Sequence, residues 1–311
     1  MPKARESIMR VVFFIAALTS ILAVILICVF LFAQGLPAMF NIGITDFLLG
    51  TRWAPLHSSN PEFGLLPMIL GSIYVTAGAI LLGVPVGIFT AIFMARICPK
   101  QVYMVIKPAI NLMAGVPSVI YGFFGMMVVV PTVYELLGKR FDMMSGDTML
   151  AASVILGIMI LPTVISIAET NIRAVPQELY EGAVALGASH ERAVFKVVLP
   201  AARSGVMAAV VLGVGRAIGE TMAVNMVAGN QPVLRLPYEF LKGVRTLTTN
   251  IVIEMGYVEH GSLHNGALIA TGVVLFIFIL IINTLFSVLN QDKEKRVIRK
   301  KSGEAEEEGA Q

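Results

Sequence analysis

The sequence predicts an all-α polytopic membrane protein with six transmembrane helices, and three observations carry that prediction. Only 14% of the 311 residues are charged, whereas soluble domains carry about 25%. Hydrophobic residues make up 57% of the chain and raise its mean hydropathy to +0.82. They are gathered into six runs, each long enough to cross a bilayer, for which a helix needs about 20 apolar residues. A formal net charge of +3 is too small to point to nucleic acid.

The first run, 11–32, is uncharged and longer than the roughly 7–15-residue apolar core of a signal peptide, and no Ala-x-Ala-like site closes it. It reads as a retained helix. The remaining spans are placed at 65–94, 109–130, 149–168, 204–227 and 267–288. Gly115, Pro117, Gly122 and Gly125 interrupt the third. Backbone groups freed by such breaks must be satisfied within protein or at a water-filled cavity, so that helix is expected to face the bundle interior. Sixteen of the 23 Lys and Arg residues fall on the segments that share a side with the N-terminus. Six (Arg52, Lys139, Arg140, Arg235, Lys242 and Arg245) fall on the other side, and Arg216 lies within a span. Lys and Arg are retained on the cytoplasmic face, so both termini are predicted to be cytoplasmic. Residues 1–64 then form an N-terminal helix and outer loop, 65–290 the core of five helices, and 291–311 a charged tail expected to be disordered. Cys28 and Cys98 are not expected to pair, since one sits in an apolar run and the other beside a cytoplasmic loop.

The loop at 173–200 differs from the others. Pro176 suits a helix start, Glu178 favours the positive end of the helix dipole, and Gly187 can close the helix. Leu179, Ala183 and Leu186 form one apolar stripe, and Ser189 can cap a second helix with Glu191 in its first turn. Two short amphipathic helices across the cytoplasmic face fit either an interfacial pair on lipid headgroups or a docking element. The run Glu181-Gly182-Ala183, then Gly187, then Val197-x-Leu199-Pro200 resembles the Glu-Ala-Ala loop of binding-protein-dependent ABC importer permeases. Spacing matches throughout, with departures at Gly182 and Val197. The resemblance implies a type I ABC importer permease fold and a coupling helix seated on an ATPase subunit, carried by Glu181, Gly182, Ala183, Gly187, Leu199 and Pro200.

Arg216 lies near the middle of the fifth span, where a charge costs roughly 2.5–3.5 kcal/mol on insertion scales. Glu220, one helical turn away, is placed to neutralise it. The two can form a buried ion pair that fixes packing, or Arg216 can line a translocation path and offer a fork of donors to an oxyanion. Gly215 and Gly219 offer a small face to a neighbouring helix. The break in the third span can aim a half-helix at an anion, with Ser118 and Tyr121 contributing hydroxyls; Thr221 completes the candidate path. The stretch 216–223 resembles the phosphate branch of these permeases. Trp53-Ala-Pro55, Phe63-Gly64-Leu-Leu-Pro67 and Gly115-Val-Pro117-Ser118-Val-Ile-Tyr121-Gly122 favour its PstC-type members. That resemblance implies import of inorganic phosphate across a bacterial or archaeal cytoplasmic membrane. The implied partners are a PstA-like second permease subunit, a PstB-like ATPase dimer and a PstS-like external phosphate-binding protein. Sulfate and molybdate permeases share the architecture. A channel or secondary transporter is the alternative of another class, and it needs no ATPase-docking loop. No Gly-x-x-x-x-Gly-Lys-Ser/Thr run occurs, so ATP hydrolysis is expected in a separate subunit. No cofactor or metal site is expected.

Overall fold

The computed structural model describes residues 2–56 and 61–308, with side chains at 6, 9–56 and 61–285. Helix α1 (Pro2–Ile42) is followed by α2 (Ile44–Leu49) and a short antiparallel hairpin, β1 (Trp53–Ala54) and β2 (Glu62–Phe63), paired Trp53 to Phe63. Helix α3 (Leu66–Ile92) ends in a π turn at Phe93–Ile97, and α4 spans Lys100–Gly115. After a break come α5 (Ser118–Phe124), α6 (Val130–Val133) and α7 (Lys139–Phe141), joined through π turns into one rod. Helix α8 (Met149–Arg173) starts on Thr148, whose Oγ1 accepts from the Ala151 amide. The loop beyond it carries α9 (Gln177–Ala185), α10 (His190–Ala193) and α11 (Leu199–Ala201). Helices α12 (Arg203–Gly219), α13 (Met222–Val227), α14 (Leu247–Met255) and α15 (Leu263–Glu308) complete the chain.

Helix α8 is the axis of the core. Ile155, Leu156, Met159 and Ile160 are buried and pack with Val75 and Ala79 of α3 and with Ala217 of α12. Close approach of α3 and α8 depends on small residues: a β-carbon on Gly83 would stand 2.6 Å from the Gly157 carbonyl oxygen. Helix α1 leaves its apolar side chains exposed as a lipid-facing helix must. It meets α15 through small residues, Gly35 against Ala270 and Gly266 against Ala38.

Among the described residues, five helices are long and apolar enough to cross a membrane: Met9–Ile42, Leu66–Ile97, Ser118–Phe141, Met149–Arg173 and Leu263–Leu285. A sixth arises if His190–Ala201 and Arg203–Gly219, bent by 71°, count as one span. The architecture is thus all-α and polytopic, with two corrections to the predicted spans. The third span is not 109–130, because the helix stops at Gly115 and restarts at Ser118. Pro117 pushes the preceding residue out of the helical region, and Val116 is extended at φ −70°, ψ 126°. The restarted rod runs on to Phe141, so Lys139 and Arg140 close a helix instead of standing in a loop. The fifth span, 204–227, is likewise two helices, divided at Glu220–Thr221. Helix α15 runs on to Glu308, along the charged tail; 309–311 lie outside the described residues.

Positions along α8 fix the depth of the third crossing. Lys107 and Tyr103 reach Glu169, Ile110 packs with Ile165 and Met94, and Gly125 lies against Ile155. Helix α4 therefore begins at the Arg173 end of α8, and its break falls part-way along the core.

At the Met149 end, a polar hub ties the loops together. The Trp53 indole donates to both oxygens of Glu254, at 3.0 and 2.9 Å. Arg245 Nη1 donates to Glu254 at 2.6 Å, and His264 Nε2 lies 2.8 Å from the same carboxylate. Arg245 also donates to the Asn230 carbonyl and the Asn250 side chain, so one carboxylate joins the hairpin, α14, α15 and the preceding loop. Glu254→Ala strands these donors, at a cost of about 1–3 kcal/mol. The expected outcome is a melting temperature several degrees lower and a red-shifted emission from Trp53, the single tryptophan.

Candidate functional site

Two helix breaks lie on segments that pack beside α8. In the first, between α4 and α5, Val116 N–H donates to the Met113 carbonyl at 3.3 Å, and the Tyr121 hydroxyl donates to the same oxygen at 2.8 Å. In the second, between α12 and α13, Glu220 is extended at φ −72°, ψ 127°. Its Oε1 accepts from the Ala223 amide at 3.3 Å, and its carbonyl accepts from Thr248 Oγ1 at 3.3 Å. Thr221 Oγ1 donates to the Gly219 carbonyl. The segments beyond the breaks touch: a β-carbon on Gly122 would stand 3.0 Å from Ala223 Cα. Val116, Tyr121, Ala217, Ala223 and Val224 share one core cluster.

Arg216, in the last turn of α12, stands at this junction half-exposed. Its Nη1 donates to Thr163 Oγ1 of α8 at 3.0 Å. The ion pair with Glu220 expected from helical spacing is absent. It required the helix to continue through Glu220, and the break turns that carboxylate to the start of α13 instead. Tyr121 is buried and spends its hydroxyl on the Met113 carbonyl, while Ser118 begins α5 half-buried. Of the five predicted path residues, Tyr121, Glu220 and Thr221 thus satisfy freed backbone groups. Arg216 retains most of its five donors. A forked donor set at that depth suits a planar carboxylate or a tetrahedral oxyanion. Thr163, absent from the sequence reading, orients it; a lone threonine in an apolar run gives no signal.

The loop end carries the second group of predicted residues. Helix α9 presents Glu181 and Gly182 outward, with Ala183 half-buried. Leu179 and Leu186 are exposed, Leu186 at 92%, so the apolar stripe faces away from the body. Tyr180 turns inward against the core cluster that includes Val194 and Val198, and its hydroxyl lies 2.8 Å from His190 Nδ1. Gly187 takes φ +87°, a left-handed conformation that favours glycine at a helix end. Ser189 Oγ accepts from the Arg192 amide at 3.3 Å, capping α10, and Leu199–Pro200 open α11.

The predicted fourth span, 149–168, ends one residue before Glu169, whose i,i+4 spacing to Arg173 in the favourable acid-first order is a sequence signal for the pair. Glu169 is 1% exposed and accepts from Lys107, Tyr103 and Arg173.

The family of binding-protein-dependent transport system inner membrane components matches residues 83–295. The chain is 40% identical over 284 residues to the probable ABC transporter permease protein YqgH of Bacillus subtilis, covering 89% of this chain and 90% of that one. It is 34% identical over 271 residues to the phosphate transport system permease protein PstC of Mesorhizobium japonicum, covering 82% and 81%. The probable PstC of Methanocaldococcus jannaschii is 31% identical over 273 residues, covering 84% and 86%. Among solved structures, an inward-facing MetNI methionine ABC transporter aligns with a TM-score of 0.59 at 18% identity, covering 73% of this chain and 95% of that one. That likeness establishes the type I ABC importer permease fold.

Double-mutant cycles test the junction. Arg216→Ala with Thr163→Val should show a coupling of about 0.5–3 kcal/mol in thermal unfolding of the purified protein, as expected for residues in contact. Arg216→Ala with Glu220→Ala should add to within about 0.5 kcal/mol. Strong coupling in the second cycle would restore the ion pair.

Proposed function

The chain belongs to the family of binding-protein-dependent transport system inner membrane components, and from that premise we propose that it imports inorganic phosphate by ATP-driven alternating access. It is a permease and not an ATPase, so ATP hydrolysis resides in a separate subunit. Family membership implies a complex of a permease pair, an ATPase dimer and a substrate-binding protein. In our reading these are PstA-like, PstB-like and PstS-like, and both termini of this chain are cytoplasmic.

The observation that carries the phosphate reading is Arg216 at the meeting of two helix breaks, with donors to spare. A partly desolvated guanidinium attracts an anion, and its fork matches phosphate oxygens bidentately. The PstC relatives, named as phosphate permeases, support the same choice. Sulfate or molybdate would meet the same guanidinium, so competition decides among oxyanions. In this reading Glu181, Gly182, Ala183, Gly187, Leu199 and Pro200 couple the permease to the ATPase. The exposed Leu179 and Leu186 supply the apolar surface that such docking covers.

Uptake of labelled phosphate in cells lacking other phosphate carriers tests the proposal, with sulfate as competitor. Wild type should import phosphate in an ATP-dependent manner, with little inhibition by sulfate. Arg216→Ala should lower uptake about ten- to hundredfold, the loss of a charge-assisted hydrogen-bonding group. Glu181→Lys should abolish uptake while the protein still inserts. Uptake that persists without the ATPase would sink the reading.

A further inference from the structure

We infer that Glu169 is the positioning residue that locks the root of the loop helix α9 to α4, so that α9 and the α4–α5 break move as one body. The inference rests on the proposed reading that α9 docks the ATPase.

The geometry forms an unbroken chain of contacts. At the root of the loop, Arg96 donates through Nη2 to the carbonyls of Ile172 and Val175, at 2.9 and 3.1 Å. Its Nη1 donates to the side chain of Gln177, the first residue of α9, at 3.0 Å. Arg173 donates to the Met94 carbonyl at 2.7 Å and to Glu169. Glu169 reaches across to α4, where Lys107 and Tyr103 donate to its two oxygens. The Arg173 guanidinium also sits 4.3 Å from the centre of the Tyr103 ring. Helix α4 spans Lys100–Gly115, about 24 Å at 1.5 Å per residue, and is gripped at Tyr103 and Lys107. In its last turn the Met113 carbonyl is held by Tyr121 across the break, beyond which α5 approaches α13.

The electrostatics explain why a carboxylate performs this task. Replacing a buried ion pair by apolar residues is often neutral or stabilising, so stability alone gives little reason to bury Glu169 at 1% exposure. One carboxylate bridging Lys107, Arg173 and Tyr103 fixes both the angle and the register between α4 and α8. Apolar packing at the same place would leave α4 free to slide. Removing the carboxylate instead sets Lys107 and Arg173 against each other with Arg96 nearby, so the link opens.

The test uses the full complex in proteoliposomes, with Cys28 and Cys98 replaced by serine and spin labels at Leu112 and at Glu178 of α9, both exposed and neither on the leucine stripe. ATP hydrolysis and labelled-phosphate uptake are measured on the same vesicles. In the unsubstituted bridge, the Leu112–Glu178 distance should be single-valued and unchanged between nucleotide-free and ATP–vanadate states. Glu169→Gln should broaden that distance, and it should lower phosphate moved per ATP at least tenfold while hydrolysis stays within twofold. Tyr103→Phe with Lys107→Met leaves the Glu169–Arg173 pair on α8 in place and cuts only the bridge, so it gives the same result even if Glu169→Gln fails to assemble. A bridge-cut variant with wild-type distance and wild-type transport per ATP overturns the inference, as does parallel loss of hydrolysis and uptake. Glu181→Lys separates the two claims. If it disrupts coupling while the bridge variants do not, the Glu169 inference fails alone; if it has no effect, the docking premise fails and the inference with it.

Discussion

A backbone amide or carbonyl left unpaired in hydrocarbon costs several kcal/mol, and the centre of this protein is arranged around that cost. Two of its crossings are interrupted part-way, at Val116–Pro117 and at Glu220–Thr221. Each interruption releases carbonyls and amides that lipid cannot satisfy, so both must lie against protein. The segments beyond them meet, with Gly122 of α5 against Ala223 of α13. Tyr121 donates to a carbonyl of the first break, while Glu220, Thr221 and Thr248 serve the second. Polar side chains that look like a solute pathway in the sequence are therefore largely committed to backbone. Arg216, bonded to Thr163 through one nitrogen, keeps donors to spare.

The same contrast holds along the length of the bundle. Near one end of α8, Glu169 is surrounded by Lys107, Arg173 and Tyr103. Past the other end, Glu254 is enclosed by Arg245, His264 and Trp53. Both carboxylates are saturated with donors and stitch together segments distant in sequence. Between them, Arg216 has the Thr163 hydroxyl as its partner. Of these three charged centres, only the middle one has unspent bonding capacity, and its sign is positive. The bundle thus has fixed ionic joints at its ends and a partly free cation between them, the feature on which the proposed anion path rests.

Much of this architecture was legible in the sequence, and the parts that were not share a cause. Long apolar runs located α1, α3, α8 and α15, because crossing a bilayer constrains composition residue by residue. The loop helices were legible from capping chemistry: Ser189 and Gly187 act as local signals and hold those roles. Pro117 announced a break, yet the reading kept a span across it and so misplaced the third crossing. At Gly219–Glu220 no proline marks the break, and a continuous helix was the natural expectation; the side chain of Glu220 and the hydroxyl of Thr248 decide otherwise. The i,i+4 spacing of Glu169 to Arg173 was in view, but the links from Glu169 to Lys107 and from Glu254 to Trp53 were not, because those partners lie 62 and 201 residues away in sequence. Local pattern carries no information about such pairings.

Helix α9 completes the physical picture by contradiction. A surface helix ordinarily turns its apolar side chains to the body and its polar ones to solvent. Here Tyr180 turns in, Leu179 and Leu186 stand exposed, and the helix is held at its root by Arg96 on Gln177. An element with a stiff ionic root and an uncovered apolar tip is poorly suited to a free surface, where the exposed leucines only cost solubility. It is well suited to being gripped: a partner covering the leucines would act on a helix tied through Arg96 to the end of α8. In the inference drawn from Glu169, force applied there passes along α4 to its break.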